Sequence, residues 1–354
     1  MSKLTVNVGG VRIGGGAPIS IQSMTNTDTR DVKTTVAQIL ELEREGCEIV
    51  RSSVYDERCV EAIKSIIPCI HIPLVADIHF DHRLAIGSIK AGVSKVRINP
   101  GNIGSEAKVR ELAACASAHG VPIRIGVNGG SLEKDLLQKY GVCAEAMVES
   151  AMRHADMLEN VGFHDIVISL KASDVATTIR AYRLAAERMP YPLHVGVTEA
   201  GMGEGALLKS AIGIGSLLVD GIGDTVRVSM TGNVTQEVRA AKKILAAVGI
   251  RKYGAEVISC PTCGRTRVNL PEIVERVNAE LPKDGRPIRI AVMGCAVNGP
   301  GESAEADIGI AFGSVNAAVF EHGEIRYTDA LPGVIDRFIA DAAALMKSES
   351  IKND

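Results

Sequence analysis

The chain has 354 residues, of which 46% are hydrophobic and 23% are charged, and its 39 basic and 42 acidic residues leave a formal net charge of -3. This composition excludes a mainly disordered chain and argues against a general binder of polyanions. Because tryptophan is absent and aromatic residues make up only 3%, a stacking surface for single-stranded nucleic acid is not expected either. The length allows about two domains, or one barrel with a small second domain.

The N-terminal residues lack a basic segment followed by an apolar segment, so no targeting signal is predicted. No stretch of the sequence reaches the roughly 18 apolar residues that a membrane-spanning helix needs. We therefore expect a cytoplasmic protein that has neither a membrane nor a nucleic acid as its partner.

Residues 1–250 alternate short runs rich in valine and isoleucine with amphipathic helical patterns. The predicted strands are 19–24, 49–53, 74–77, 95–99, 123–127, 166–170, 193–197 and 225–229. Glycines that end the predicted helices stand at 46, 92, 120, 162 and 249. Eight strands alternating with helices predict a (β/α)₈ TIM barrel, and a hairpin turning at Gly9-Gly10 is expected to close its bottom. A doubly wound sheet is the alternative, but its Gly-x-Gly-x-x-Gly loop is absent after the first strand.

The pattern changes near residue 250, so residues 251–354 are predicted to form a small α+β domain. Its predicted strands are 255–259, 288–293, 307–312, 317–320 and 324–328, and its predicted helices are 271–281 and 334–346. Asn269 is the expected N-cap of the first helix, and the last two strands form a hairpin that turns at His322-Gly323.

The predicted barrel strands deliver polar side chains to one rim, where the active sites of such barrels lie. Five of these side chains are cationic: Arg51, Arg97, Arg124, Lys171 and Arg227. Cations this close repel one another unless an anion neutralises them, and the planar guanidinium fits phosphate oxygens well. We therefore predict a small phosphorylated substrate, while the alternative is internal pairing of these cations with Asp77 and Glu199.

Glu199 stands in the segment GVTEAG (196–201) as an acid on an otherwise basic rim. It is the candidate general acid or base, although a role limited to orienting an arginine is the alternative. His79 and His194 are weaker candidates, because a structural role explains each of them equally well.

Two short cysteine motifs stand in the second domain, CPTCGR (260–265) and GCAVNGPGE (294–302), and each follows a predicted strand. Their thiols, Cys260, Cys263 and Cys295, could hold a metal centre, and Glu302 could add a carboxylate ligand. Three thiolates without a fourth favour an iron–sulfur cluster with one distinctive iron. A zinc site and a redox dithiol remain alternatives at this point. The five other cysteines are predicted to be mostly small core residues: Cys47, Cys59, Cys69, Cys115 and Cys143.

Together, the two cysteine motifs, RIGVNGGS (124–131) and GVTEAG (196–201) resemble those of the 4-hydroxy-3-methylbut-2-enyl diphosphate synthases. The resemblance runs from about residue 19 to beyond residue 302. It implies reductive ring opening and dehydration of 2-C-methyl-D-erythritol 2,4-cyclodiphosphate, an isoprenoid step of the non-mevalonate pathway. It also implies a [4Fe-4S] cluster held by Cys260, Cys263, Cys295 and, in the resting state, Glu302.

The same resemblance assigns roles to the barrel residues. Glu199 matches the family's acid/base at the reacting carbons. The residues expected to bind the substrate are Arg51, Asp77, His79, Arg97, Arg124, Asn128, Lys171 and Ser229. Flavodoxin or ferredoxin would supply the electrons. A head-to-tail homodimer is implied, in which the barrel of one chain faces the cluster domain of the other, in the compact two-domain bacterial form.

Two other functions are compatible with parts of the pattern. A non-redox phosphate-ester or pterin-type synthase with a structural zinc domain would keep the barrel, and it would contain zinc but no labile sulfide. A cluster carrier without enzymatic activity would make no use of the cationic rim.

Overall fold

The computed structural model describes residues 2–99, 103, 105–297, 305–331 and 333–348. The chain divides into two compact units, Met1–Ile250 and Arg251–Asp354. Glu302, the predicted fourth cluster ligand, lies outside the described residues. Among the described residues, no helix is both long enough and apolar enough to cross a membrane.

The first unit begins with the predicted hairpin, in which β1 (Thr5–Val8) pairs antiparallel with β2 (Val11–Gly14). The two-residue turn has positive φ at both positions, 55° at Gly9 and 96° at Gly10, which a glycine pair adopts without strain. The apolar face of the hairpin packs on the amino-terminal ends of the barrel strands, where its contacts include Ile49. The predicted closure of the barrel bottom is confirmed.

Eight parallel strands follow, and the predicted TIM barrel is confirmed. They are β3 (Ser20–Met24), β4 (Ile49–Ser53), β5 (Leu74–Asp77), β6 (Lys95–Ile98), β7 (Ile123–Asn128), β8 (Ile166–Lys171), β9 (His194–Val195) and β10 (Thr225–Val226). Their spatial order is β8-β7-β6-β5-β4-β3-β10-β9, and a parallel bridge between Ile168 and Leu193 joins the two ends of this order. Tyr182 also links β8 to β9, because its hydroxyl donates to the carbonyl of His194 on β9 and accepts the N–H of Leu170 on β8.

β9 and β10 are shorter than predicted, and the reason lies at Gly196. A Cβ atom there would lie 2.4 Å from the Arg227 carbonyl oxygen and 2.9 Å from Lys171 Nζ. The two backbones therefore approach more closely than a side chain allows, and both strands leave the regular ladder at this point.

Helices surround the barrel. They are α1 (Val32–Arg44), α2 (Glu57–Ile66), α3 (His82–Lys90), α4 (Glu106–His119), α5 (Lys134–Tyr140), α6 (Ala144–Glu159), α7 (Val175–Arg188), α8 (Gly203–Val219) and α9 (Val234–Ala247). Short 3₁₀ turns occupy Ile67–Cys69 and Gly129–Ser131. Side-chain oxygens of five N-cap residues accept a backbone N–H of the first turn: Asp31, Asp56, Asp81, Asp174 and Asn233. The five glycines predicted to end helices all have positive φ, as a C′ glycine requires.

The second unit contains a five-stranded sheet in sequential order. Its strands are β11 (Ala255–Ser259), β12 (Ile288–Met293), β13 (Ile308–Phe312), β14 (Asn316–Glu321) and β15 (Glu324–Ala330). β11, β12 and β13 are parallel, whereas β14 and β15 add antiparallel, with the predicted turn at His322-Gly323. Helices α10 (Leu270–Glu280) and α11 (Gly333–Lys347) share one apolar core with the sheet, which contains the fully buried Phe338 and Phe312. Asn269 is the N-cap of α10 as predicted, although its side chain donates to Glu272 instead of capping the backbone.

Candidate active site

The barrel interior holds an excess of positive charge. The five cations predicted at the strand ends meet there, and Arg51, Arg97, Arg124 and Lys171 are all buried. Lys95, which the search of the strand ends missed, is a sixth basic side chain and is fully buried. The carboxylates that oppose them among the described residues are Asp77 and Glu237, so the six basic side chains outnumber the acidic ones.

Asp77, the last residue of β5, forms ion pairs with two of these cations. Arg97 Nη1 donates to Asp77 Oδ1 at 3.1 Å, and Arg51 Nε lies 3.6 Å from Oδ2. Burial alone would raise the pKa of the Asp77 carboxyl, but the charges of Arg51 and Arg97 outweigh burial and hold that pKa well below its usual range. Burial also lowers the pKa of Arg51 to about 10, a shift that the nearby Asp77 opposes. Asp77 is therefore ionised at neutral pH and fixes both guanidinium groups.

Arg97 also passes very close to the backbone of β7. Its Nη2 donates to the Gly126 carbonyl at 3.3 Å, and a Cβ atom at Gly126 would lie 2.3 Å from Arg97 Nε. The Arg97 guanidinium can occupy its place between Asp77 and β7 only because residue 126 has no side chain.

Gly126→Ala is expected to displace Arg97 and to weaken the binding of a multiply charged phosphate by roughly tenfold or more, as for the loss of one charge-assisted hydrogen bond. Calorimetric titration with inorganic trimetaphosphate measures this affinity. Gly215→Ala in α8 is the matched control, since its new Cβ would meet only Val248 at 3.8 Å. Equal affinities in Gly126→Ala and the control would show that Arg97 does not contribute to the anion site.

Arg124 is the most enclosed of the arginines, with 1% of its surface exposed. Its Nη1 donates to Ser169, whose hydroxyl also donates to the Ile125 carbonyl. Burial, together with the charges of Arg51 and Arg97, lowers the pKa of Arg124 well below its ordinary value. Its Nε and Nη2 have no hydrogen-bond partner among the described residues, so both can donate to an anion.

Lys171 and His194 are neighbours on β8 and β9, with Nζ 3.5 Å from Nε2. Burial and the charge of Lys171 lower the pKa of His194 well below its ordinary value, so its imidazole is neutral. Asn128 at the end of β7 stands in register with Lys171 and is half-buried. Burial, together with the charges of Arg227 and Arg124, lowers the pKa of Lys171 well below its ordinary value. Lys171 and Asn128 therefore give this side of the barrel mouth one amine and one amide.

Glu237 on α9 is a functional candidate that the strand-end reasoning missed. It is buried and accepts hydrogen bonds from the Ser23 hydroxyl at 3.0 Å and the Met230 N–H at 3.1 Å. Its Oε1 also lies 3.4 Å from Arg227 Nη2. The signal in the sequence is an acid on the apolar face of a helix, beside Val234 and Val238.

Glu199 is exposed, whereas Arg51, Arg97 and Arg124 are buried. Its φ of 54° lies in the left-handed region, and no ion pair to Glu199 is found among the described residues. A non-glycine residue held in this conformation is characteristic of functional loops. The alternative to a phosphate site is internal pairing of the cations with Asp77 and Glu199. Within the described part of the barrel the Asp77 pairs are present and the Glu199 pair is not.

His79 and Ser229 stand at the edge of the same mouth. His79 Nε2 lies 3.8 Å from Asp77 Oδ2, and its ring lies 3.4 Å from Arg97 Nη1. Burial, with Arg97 adding to it, lowers the pKa of His79, although Asp77 opposes the shift. Ser229 follows β10 and is half-buried. Both side chains are near enough to the surface to meet a bound molecule.

The cysteine motifs meet at one edge of the second sheet. β11 and β12 are parallel neighbours, so Cys260 directly after β11 and Cys295 two residues after β12 follow strand ends on the same side. The N–H of Gly294 donates to Cys260 Sγ at 3.2 Å, which links the two motifs. Cys295 is buried and Cys263 is exposed. A backbone hydrogen bond from Arg265 lowers the pKa of the Cys263 thiol, which favours the thiolate that metals bind.

Within the described residues, which exclude 298–304 and therefore Glu302, no group of three or more histidine, cysteine, aspartate or glutamate side chains is arranged to hold a metal ion. Of the other cysteines, Cys47 and Cys59 are core residues as predicted, and Cys115 and Cys143 are half-buried. The core prediction is wrong for Cys69, which is exposed because it ends a 3₁₀ turn at the protein surface.

Known protein families and curated relatives match this chain over nearly its full length. Residues 3–242 match the GcpE TIM-barrel domain, and residues 256–343 match the GcpE protein C-terminal domain. Two curated relatives are both named 4-hydroxy-3-methylbut-2-en-1-yl diphosphate synthase (flavodoxin). The relative from Caldanaerobacter subterraneus subsp. tengcongensis is 52% identical and covers 99% of each chain. The relative from Ruminiclostridium cellulolyticum is 53% identical and covers 96% of this chain and 97% of its own.

Among solved structures, a dihydropteroate synthase from Stenotrophomonas maltophilia is similar to 70% of this chain and 99% of its own, with a TM-score of 0.52 and 15% identity. At that identity the likeness concerns the barrel fold alone. The domain matches and the near full-length identity to named enzymes show that this chain belongs to the GcpE family.

Proposed function

We infer that this chain catalyses the reductive ring opening and dehydration of 2-C-methyl-D-erythritol 2,4-cyclodiphosphate to 4-hydroxy-3-methylbut-2-enyl diphosphate. The names of its relatives over nearly the full chain support this activity. Two electrons and one proton balance the reaction, because the cyclic dianion becomes a diphosphate trianion and one water. The observation that carries the inference is the barrel interior, where six basic side chains meet two carboxylates among the described residues.

In this proposal the cationic interior holds the diphosphate. Arg124 offers its free Nε and Nη2 donors, and the Asp77 carboxylate keeps Arg51 and Arg97 turned toward the same space. The remaining substrate-binding residues are His79, Asn128, Lys171 and Ser229. An anion enclosed by fixed donors needs no rearrangement of the protein when further charge develops on the phosphate oxygens.

Glu199 is proposed as the acid/base at the reacting carbons. Its side chain is exposed and forms no ion pair with an arginine among the described residues, whereas Asp77 is paired with two of them. Its left-handed backbone fixes the direction of the side chain from the loop after β9. The separation of Glu199 from the phosphate-binding cations suits a group that moves a proton at carbon.

The second unit is proposed to hold a [4Fe-4S] cluster through Cys260, Cys263 and Cys295, with Glu302 as the fourth ligand in the resting state. The thiols fit this group, because two of them follow adjacent strand ends and the Gly294 N–H donates to Cys260 sulfur, as backbone amides do around cluster thiolates. When bound, such a cluster would pass the two electrons to the substrate. In the cluster as proposed, Glu302 would be the one oxygen ligand and the three thiolates would bind the other irons.

The names of the relatives support flavodoxin as the electron donor, with ferredoxin as the alternative. We also propose the head-to-tail homodimer that the family resemblance implies, in which the barrel of one protomer uses the cluster unit of its partner. Mixing a Cys295→Ser protein with a Glu199→Gln protein tests this arrangement, since mixed dimers would regain one complete site.

The activity is tested on anaerobically purified protein supplied with the cyclic diphosphate and reduced flavodoxin. Formation of the linear diphosphate, followed by phosphorus NMR, supports the proposal when iron and acid-labile sulfide are present in about equal amounts. Bound zinc without sulfide, persisting after cluster reconstitution, would contradict the cluster assignment. A protein that contains the cluster but leaves the cyclic diphosphate unchanged would contradict the proposed activity.

A further inference from the structure

Lys95 is a buried basic residue of the barrel that does not lie at the carboxyl end of its strand. It is also not among the proposed substrate contacts. It lies on β6 two residues before Arg97, on the same face of the strand, and none of its surface is exposed. The hydrogen bond found for its ammonium nitrogen is a long one, 3.5 Å to Gln22 Oε1 on β3. Gln22 is itself uncharged and 1% exposed.

The surroundings of Lys95 are positive or neutral. The titratable groups around it are Arg97 on its own strand, Asp77 on β5, Arg124 on β7, Arg51 on β4 and His194 on β9. Asp77, the carboxylate among them, is already shared between Arg97 and Arg51. Within the described residues no carboxylate lies within ion-pair distance of the Lys95 nitrogen.

An unpaired ammonium in such a place is strongly unfavourable, whereas a neutral amine with one weak hydrogen bond is not. Lysine, unlike arginine, readily gives up its proton when it is buried. Burial and the charges of Arg124 and Arg51 lower the pKa of Lys95 well below its ordinary value, in agreement with the geometry.

We propose that Lys95 is an uncharged amine in the substrate-free barrel and takes up a proton when the diphosphate binds among the arginines near it. This role of Lys95 rests on the proposed function only for the identity of the anion. Two negative charges brought to Arg51 and Arg124 offset the positive potential that these arginines impose on Lys95, which favours the ammonium form. Lys95 would then stabilise the bound anion without touching it.

The sign of the pH dependence follows from this. Binding that takes up a proton weakens as the pH rises through the pKa of Lys95 in the bound state, and it is strongest below that pKa. Lys171 and His194 could take up a proton as well, so the test must separate them from Lys95.

The experiment is calorimetric titration of the anaerobic holoenzyme with the cyclic diphosphate in two buffers of different ionisation enthalpy. This ligand has no proton to lose or gain near neutral pH, so any proton exchange belongs to the protein. Uptake approaching about one proton per site is expected for the natural protein and near zero for Lys95→Met. Lys90→Met, at the exposed end of α3, is the matched control and should behave like the natural protein.

Two outcomes would overturn the proposal: binding without proton uptake in the natural protein, or unchanged uptake in Lys95→Met. Lys95→Gln serves as the second variant, because it keeps a polar group beside Gln22 if the methionine variant does not fold. Titration with trimetaphosphate, which is also free of protons near neutral pH, distinguishes a wrong substrate assignment from a wrong role for Lys95. If it binds with Lys95-dependent uptake while the cyclic diphosphate does not bind, the proposed substrate is wrong and the role of Lys95 stands.

Discussion

Cys295→Ser is expected to abolish cluster binding and to lower turnover by more than about 100-fold, beyond the usual effect of losing only a supporting residue of a metal site. Cys295 is buried directly beyond β12, so its thiolate faces the same sheet edge as Cys260. A serine hydroxyl at this position does not ionise near neutral pH and cannot replace a thiolate ligand. Iron and acid-labile sulfide per chain, measured anaerobically beside turnover, check this prediction.

The barrel unit has its own core, so its thermal unfolding should be unaffected by this substitution. Cys69→Ser is the matched control, because Cys69 is an exposed thiol of the barrel unit. A Cys295→Ser protein that keeps its full content of iron and sulfide, with turnover intact, would remove Cys295 from the ligand set.

Glu199→Gln is expected to lower kcat by about 10²–10⁴, the usual range for loss of a general acid or base. KM should change little, because among the described residues Glu199 forms no ion pair with the barrel cations that are proposed to hold the diphosphate. Steady-state kinetics with the cyclic diphosphate separates the two parameters. Iron content should stay unchanged, since Glu199 belongs to the barrel unit.

Glu204→Gln provides the control for this substitution, since Glu204 is an exposed acid in the first turn of α8, five residues further along the chain. If both variants show nearly natural kcat, Glu199 has no part in proton transfer. If Glu199→Gln raises KM instead and leaves kcat unchanged, its role is in binding.

The barrel was predictable because every part of its pattern depends on local physics. Short runs rich in β-branched residues mark the strands, aspartates cap four of the helices, and glycines end five of the predicted helices. A sequence carries all three signals directly. The shortened β9 and β10 could not be foreseen. The close approach at Gly196 arises between two backbones that are brought together only when the barrel closes.

The site was predictable only at the ends of its strands. Arg97 is the last residue but one of β6, as expected for a barrel site at the carboxyl ends of the strands. Arg51 is instead the middle residue of β4, and Arg124 is only the second of six residues in β7, where it lies in register with Arg97. Lys95 lies one layer deeper, and only the strand alternation with Arg97 marks it. Glu237 comes from a helix and reaches the interior through contacts with Ser23 and Arg227. Those contacts depend on how the helix packs against the strands, which a single sequence does not specify.

The charged interior also has a consequence for the stability of the barrel. The interiors of such barrels are usually layers of valine, isoleucine and leucine, which stabilise the fold regardless of any bound molecule. Here part of that space is given to mutually repelling cations, so the free protein gives up folding free energy for its chemistry. Any anion that enters the barrel restores some of that energy, because a ligand that binds only the folded state raises its stability by mass action. The lifetime of this enzyme should therefore follow the supply of its own substrate, and a cell that runs short of the cyclic diphosphate would also hold a less durable protein.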